Sequence, residues 1–223
     1  MKTFNKTLIA AATITTFGLA AAPTALALDA SASVATSYLW RGLDLGSGTP
    51  ALSADVSTTT GGLTTGLWVS SGDTGSGTEY DLYLNYAGSV GALDYSVGAA
   101  RYNYPTGGWD GEVAGFEGSD ATDVIYSLSY MGVTATVYDA DDAGDSQYNT
   151  LSFDLGPVSV LLGDHDEVET ELSDGSMFLA EMSHMDLTYS VNDSLSFTVS
   201  SVISSNLASE TDTTVVASYT LPF

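Results

Sequence analysis

Apolar and polar residues alternate, two by two, in stretch after stretch of this chain, and the connections between stretches alternate long and short. A period of two is the signature of a strand with one apolar face. The clearest case is Tyr80, Leu82, Leu84 and Tyr86 set against Glu79, Asp81, Tyr83 and Asn85. Further stretches are Ser31 to Trp40, Leu52 to Ser57, Leu63 to Ser70, Leu93 to Ala100 running on to Tyr104, Asp123 to Tyr130, and Val133 to Tyr138. Thr150 to Leu155, Val158 to Gly163, His184 to Tyr189, Leu195 to Ser200 and the terminal stretch up to Phe223 complete a set of about twelve.

The connections carry independent information. Tight turns are expected at Thr60-Gly61-Gly62, Gly88 to Gly91, Met131-Gly132, Gly156-Pro157 and Asn192-Asp193. Longer loops are expected at Leu43 to Thr49, Ser71 to Thr78, Thr106 to Asp120, Asp139 to Gln147, Asp164 to Gly175 and Ser204 to Glu210. An even strand number with short turns at one end and longer loops at the other predicts an all-β, transmembrane, antiparallel up-and-down β-barrel, with periplasmic turns and extracellular loops. A soluble β-domain has no reason to keep that asymmetry.

The apolar face ends in aromatics near strand tips: Tyr38 and Trp40, Tyr80 and Tyr86, Tyr126 and Tyr130, Tyr189, Tyr219 and Phe223. Aromatic girdles at two membrane interfaces would read this way. At the C-terminus, Val215, Ala217, Tyr219, Leu221 and Phe223 share the apolar face, and this strand is expected to pair with the first and close the barrel. It is also the expected signal for the barrel-assembly machinery.

The N-terminus reads as an export signal. Lys2 and Lys6 precede an uncharged run, Thr7 to Ala22, and Ala25-Leu26-Ala27 is a cleavage pattern. Residues 1–27 are therefore expected to be a signal peptide and 28–223 the barrel, located in a bacterial outer membrane. Without the signal's two lysines the net charge is 2 − 28 = −26, with Arg41 and Arg101 as the only positive side chains. That excludes nucleic-acid binding, which needs a basic footprint. With no cysteine there is no disulfide framework.

One stretch carries a family resemblance. Ser37-Tyr38-Leu39-Trp40-Arg41-Gly42 resembles the opening block of the TorF-like porin family of proteobacteria. Gly66-Leu67-Trp68-Val69-Ser70, Glu79-Tyr80-Asp81 through Ala87-Gly88, Tyr95-Ser96-Val97-Gly98 and Tyr102-Asn103-Tyr104-Pro105 resemble the blocks that follow. The resemblance implies an outer-membrane barrel of porin type and brings no catalytic residues with it.

Strand parity nominates the lumen. Arg41, Asp55, Trp68, Glu79, Asp81, Tyr83, Asp94, Asp123, Tyr138, Asp154 and Asp186 have inward parity and are expected to line a pore. Arg41 is expected at the lumen mouth near Asp55, and Arg101 on the outer face at the rim, flanked by Tyr102 and Tyr104. Twelve strands lie between the filled eight-strand barrel and the open sixteen-strand porin, so the expected pore is small. It would pass ions and small polar solutes, with a preference for cations because carboxylates dominate its wall. Outer-membrane lipid and lipopolysaccharide are the expected surroundings.

Two other readings stay open from sequence. His184 and Asp186 share a face among many serines, so a hydrolytic Ser-His-Asp set is an alternative. A plugged structural or adhesive barrel is another. No cofactor or metal site is expected. Asp139, Asp141, Asp142, Gly144 and Asp145 approach a calcium loop, but Ala143 and Thr150 stand where that loop needs ligands.

Overall fold

The computed structural model describes residues 28–105, 120–140, 146–171, 177–205 and 213–221. Residues 1–27, which carry the expected export signal, Phe223 and much of the acidic loops fall outside those residues.

The strands are β1 (Leu28–Ala35), β2 (Leu39–Trp40), β3 (Leu43–Asp44), β4 (Ala51–Thr60), β5 (Leu63–Asp73), β6 (Gly77–Val90) and β7 (Leu93–Asn103). There follow β8 (Asp120–Tyr130), β9 (Val133–Ala140), β10 (Gln147–Leu155), β11 (Val158–Glu171), β12 (Met177–Ser190), β13 (Leu195–Ser205) and β14 (Thr213–Leu221). Twelve of them, β1 and β4 to β14, form a closed antiparallel barrel in which each strand pairs with its sequence neighbour and β14 returns to β1. The closing ladder sets Ala32 opposite Leu221 and Val34 opposite Tyr219, so the terminal strand does close the sheet. Closure joins the two sheet edges into one wall, and beyond that wall β11 and β12 stay paired with each other, from Val168 opposite Ala180 to Glu171 opposite Met177.

One end of the barrel is made of the tight turns 61–62, 91–92, 131–132, 156–157 and 191–194. At the other end several strands run further than their sequence pattern indicated. β5 and β6 extend until only 74–76 separates them, so the loop expected at Ser71 to Thr78 is largely strand. Likewise β11 continues to Glu171 and β12 starts at Met177, through the stretch expected to be loop. Ser71 to Asp73, Gly77 to Glu79 and Asp164 to Glu171 are almost all polar or glycine in sequence, which hides the period of two, while backbone pairing carries on regardless.

The two faces differ sharply. Leu52, Leu82, Leu84, Tyr126, Leu128 and Tyr130 all point outward and are exposed. Together with their neighbours on each strand they make a continuous apolar belt, far beyond the few hundred Å² a soluble monomer leaves open. On the same face, toward the end opposite the tight turns, the belt gives way to Ser71, Arg101, Asn149, Asp164 and Ser183. Arg101 is exposed on this outer face, paired in register with Leu82 and Thr122. Inside, the buried side chains include Glu79, Asp81, Asn85, Asp123, Thr136, Thr150, Ser200 and Ser218.

The first connection departs most from expectation. The sequence predicts a strand through Trp40, but β1 ends at Ala35 and Tyr38 is buried rather than girdling the barrel. The segment from Thr36 to Pro50 turns into the lumen instead, folded as the small hairpin β2–β3. The hairpin is closed by Arg41 (φ 48) and Gly42 (φ 84), the pair of positive φ values that a two-residue type I′ turn requires.

Candidate functional site

The in-turned hairpin builds the site. Its base is held by Ser37, whose hydroxyl donates to Asp44 and accepts from Gly48 N–H at 3.0 Å. Thr74, in the 74–76 turn, donates its N–H to the Leu45 carbonyl at 3.0 Å and ties the segment to the barrel rim. Midway, Tyr38 donates to Glu79 Oε2 at 2.6 Å and packs on Trp68, ring centroids 6.0 Å apart. Tyr104 donates to the other oxygen of Glu79 at 2.9 Å. Burial first, and then the Glu79 charge, holds both phenols above their ordinary pKa, so both remain donors.

The tip crosses to the far wall. Around the barrel, β9 and β10 lie opposite the β1–β4 seam from which the hairpin springs. Arg41 pairs with Asp123 of β8 and donates to Tyr102 Oη at 3.0 Å. Tyr102 donates in turn to Asp123 at 2.9 Å. The guanidinium lies 4.4 Å from the Trp40 ring, 4.7 Å from Tyr138 and 4.9 Å from Tyr148. His165 Nε2 donates to the Arg41 carbonyl at 2.8 Å. An arginine charge is permanent, and here carboxylate, hydroxyl and ring faces all meet it.

Beneath the tip lies a second network. Tyr148 donates to His184 Nε2 at 2.8 Å, and His184 Nδ1 donates to Asp186 at 3.0 Å. Both ring nitrogens are therefore committed, and the pairing with a serine that a hydrolase would need is not formed. Two glycines make the room. A Cβ at Gly42 would lie 2.4 Å from the His184 ring, and one at Gly163 would lie 2.1 Å from His184 Nε2. Only glycine allows so close an approach.

The positions nominated by parity divide into groups. Glu79, Asp81, Asp123 and Tyr138 are buried on the inner face at the level of the hairpin. Asp55 is inward, but its partner is Tyr83, which donates to it at 2.8 Å. Arg41 does not meet Asp55, as expected, but pairs with Asp123 of β8 across the lumen; an inward-turned loop overrode the strand geometry on which that expectation rested. Asp94 and Asp154 sit beside the tight turns and accept from Ser89 and Ser159, both at 2.6 Å. Trp68 faces Tyr38, and Asp186 orients His184. Tyr102 and Tyr104, expected to flank Arg101 at the surface, instead turn their hydroxyls inward to Asp123 and Glu79.

Sequence reading passed over Tyr102, Tyr148 and His165 as lumen residues. Each continues the inward parity of its strand beyond the point where alternation fades: Tyr102 after Ala100, Tyr148 before Thr150, His165 after Gly163. Inward glycine beside these large side chains was the available clue. Among the described residues no group of three or more His, Asp or Glu side chains is placed to hold a metal ion.

Residues 19–171 match the model of a family described as "Bacterial protein of unknown function (Gcw_chp)", and the chain belongs to that family. No curated protein matches it. Among solved structures it is similar to the crystal structure of Pseudomonas aeruginosa OccK10 (OpdN), at 16% identity and a TM-score of 0.45, over 87% of this chain and 69% of that one. The strand pairing alone establishes the fold.

Proposed function

We propose that this member of the Gcw_chp family is an outer-membrane channel for passive diffusion of ions and small polar solutes, narrowed by its own first loop and selective for cations. The observation that carries the reading is the inversion of the barrel: an apolar belt outside, carboxylates and hydroxyls within. Water cannot cover the belt at tolerable cost, and lipid can. A closed sheet satisfies every strand edge that a bilayer would otherwise expose. Inside, Asn85, Ser200 and Ser218 are buried with side-chain polar atoms lacking any protein partner. Such atoms call for water, as a hydrated lumen would supply. Arg101 then sits where the apolar belt ends, in reach of lipopolysaccharide phosphates. The Ser37–Pro105 blocks that resemble TorF-like porins lie within the matched 19–171 span and support the same reading.

Selectivity follows from charge. On the inner face Asp55, Glu79, Asp81, Asp94, Asp123, Asp154 and Asp186 stand against Arg41 alone, and Arg41 is spent on Asp123. Carboxylate-lined pores favour cations. With the hairpin across the lumen the pore excludes oligomers. Swelling of proteoliposomes in isotonic solutes tests the reading: glycine-sized solutes should enter, and trisaccharides should not. Equal entry of both, or entry of neither by a correctly folded barrel, contradicts it.

A further inference from the structure

Beside the Arg41–Asp123 pair, one carboxylate is not fully provided for. Asp81 is only 2% exposed, and its Oδ1 has no hydrogen-bond partner. Its neighbour on the inner face, Glu79, is fully buried and within side-chain hydrogen-bond reach of it, so the unpartnered Oδ1 is the one gap in an otherwise paired carboxyl couple. In register, Asp81 stands between Trp68 on β5 and Tyr102 on β7, an aromatic residue on each adjacent strand. A buried carboxylate oxygen without a donor is costly, and a cation is the natural partner.

The kind of cation follows from the surroundings. A metal ion needs several hard ligands converging, and among the described residues no such group exists. Aromatic walls with one carboxylate suit an organic cation that donates N–H bonds at one end and lays its apolar part on the rings. The barrel already holds one such group a short way off, where the Arg41 guanidinium lies between Asp123 and the faces of Trp40, Tyr138 and Tyr148.

We propose that Asp81, with Glu79 behind it and Trp68 and Tyr102 at its sides, is a binding site for small organic cations of the alkylammonium or guanidinium class. The proposal rests on the reading of the barrel as a cation-preferring channel, and names the solute class for which the lumen is shaped. Such a solute, passing the hairpin, would dwell at Asp81 with its charged end on Oδ1.

Methylguanidinium and potassium are the probes. Calorimetric titration of the full barrel in detergent micelles measures binding, and current block in planar bilayers measures occupancy during passage. Methylguanidinium should bind about tenfold or more tightly than potassium, as a charge-assisted hydrogen bond would give. Asp81→Asn should remove that advantage. Trp68→Leu should weaken methylguanidinium severalfold and leave potassium unchanged, and it serves if Asp81→Asn fails to fold. Folding is checked by heat-modifiable gel mobility and far-UV circular dichroism. Equal affinity for the two cations, or methylguanidinium binding untouched in both folded variants, overturns the site. Binding without conduction upholds the site and overturns the channel; cation-selective conduction without methylguanidinium preference does the reverse.

Discussion

Arg41→Ala should raise single-channel conductance severalfold and destabilise the barrel at the same time. The arginine is the tip of the only connection, among the described residues, that crosses the lumen, and most of the tip's attachments run through its side chain. They are the ion pair to Asp123, the bond to Tyr102 and the ring faces of Tyr138 and Tyr148. After truncation the tip keeps the bond from His165 to the residue-41 carbonyl, a backbone contact worth about 1 kcal/mol. Asp123 would be left buried without its counter-charge, and breaking a buried pair from one side costs about 3–5 kcal/mol. Removing Asp123 as well should therefore restore part of the lost stability while conductance stays high. Cation preference should rise in the single variant, since the lumen loses its positive charge. A destabilised Arg41→Ala barrel with wild-type conductance would show that the hairpin is not the constriction.

The second large effect concerns the outer face. Leu84→Arg should impair folding into lipid vesicles by about 2–4 kcal/mol, the cost of an arginine facing lipid at mid-membrane. Leu84 is 52% exposed and lies midway along β6, between Leu82 and Tyr86 on the outward face. The same substitution at Ser71, outward but in the polar zone beyond the belt, should cost about 0–1 kcal/mol. Urea titrations of both variants in vesicles compare the two. Equal costs, or a Leu84→Arg protein that becomes soluble and folded without lipid or detergent, would mean the belt does not face a membrane.

The architecture was legible in the sequence because a barrel repeats one local rule. Alternation placed Leu82 and Leu84 outward and Glu79, Asp81 and Tyr83 inward, and in the barrel Leu82 and Leu84 are exposed while Glu79 and Asp81 are buried. The terminal alternation of Val215, Ala217, Tyr219 and Leu221 pointed to closure, and β14 closes on β1. The site was less legible, because it depends on a segment that leaves the repeat. Tyr38 and Trp40 keep the strand period in sequence, so parity assigned them to the outer face. What turns the segment inward is non-local: Glu79 for Tyr38, and Asp123 with the rings of Tyr102, Tyr138 and Tyr148 for Arg41. No periodicity encodes such partners. Arg41-Gly42 did carry a local cue, since glycine after a strand pattern favours a hairpin turn, but a turn alone does not say into which space it folds.

Three residues of the wall were passed over for a related reason. Tyr102, Tyr148 and His165 sit where outward positions have become polar, so the contrast between faces vanishes just where the lumen is most elaborate. Counting parity past that point, and reading Gly163 as space for a neighbouring ring, would have placed them.

The most direct test is the reversal potential of the purified, refolded barrel across a planar bilayer in a potassium chloride gradient. A hairpin-narrowed lumen lined by carboxylates predicts a clear potential of the sign set by potassium running down its gradient. It should shrink as total salt rises, because mobile ions screen the fixed charge. Asp81→Asn should reduce it, and Asp123→Asn should reduce it further by leaving Arg41 uncompensated. A potential of the opposite sign, or no conductance from a barrel shown to be folded and inserted, would contradict the account.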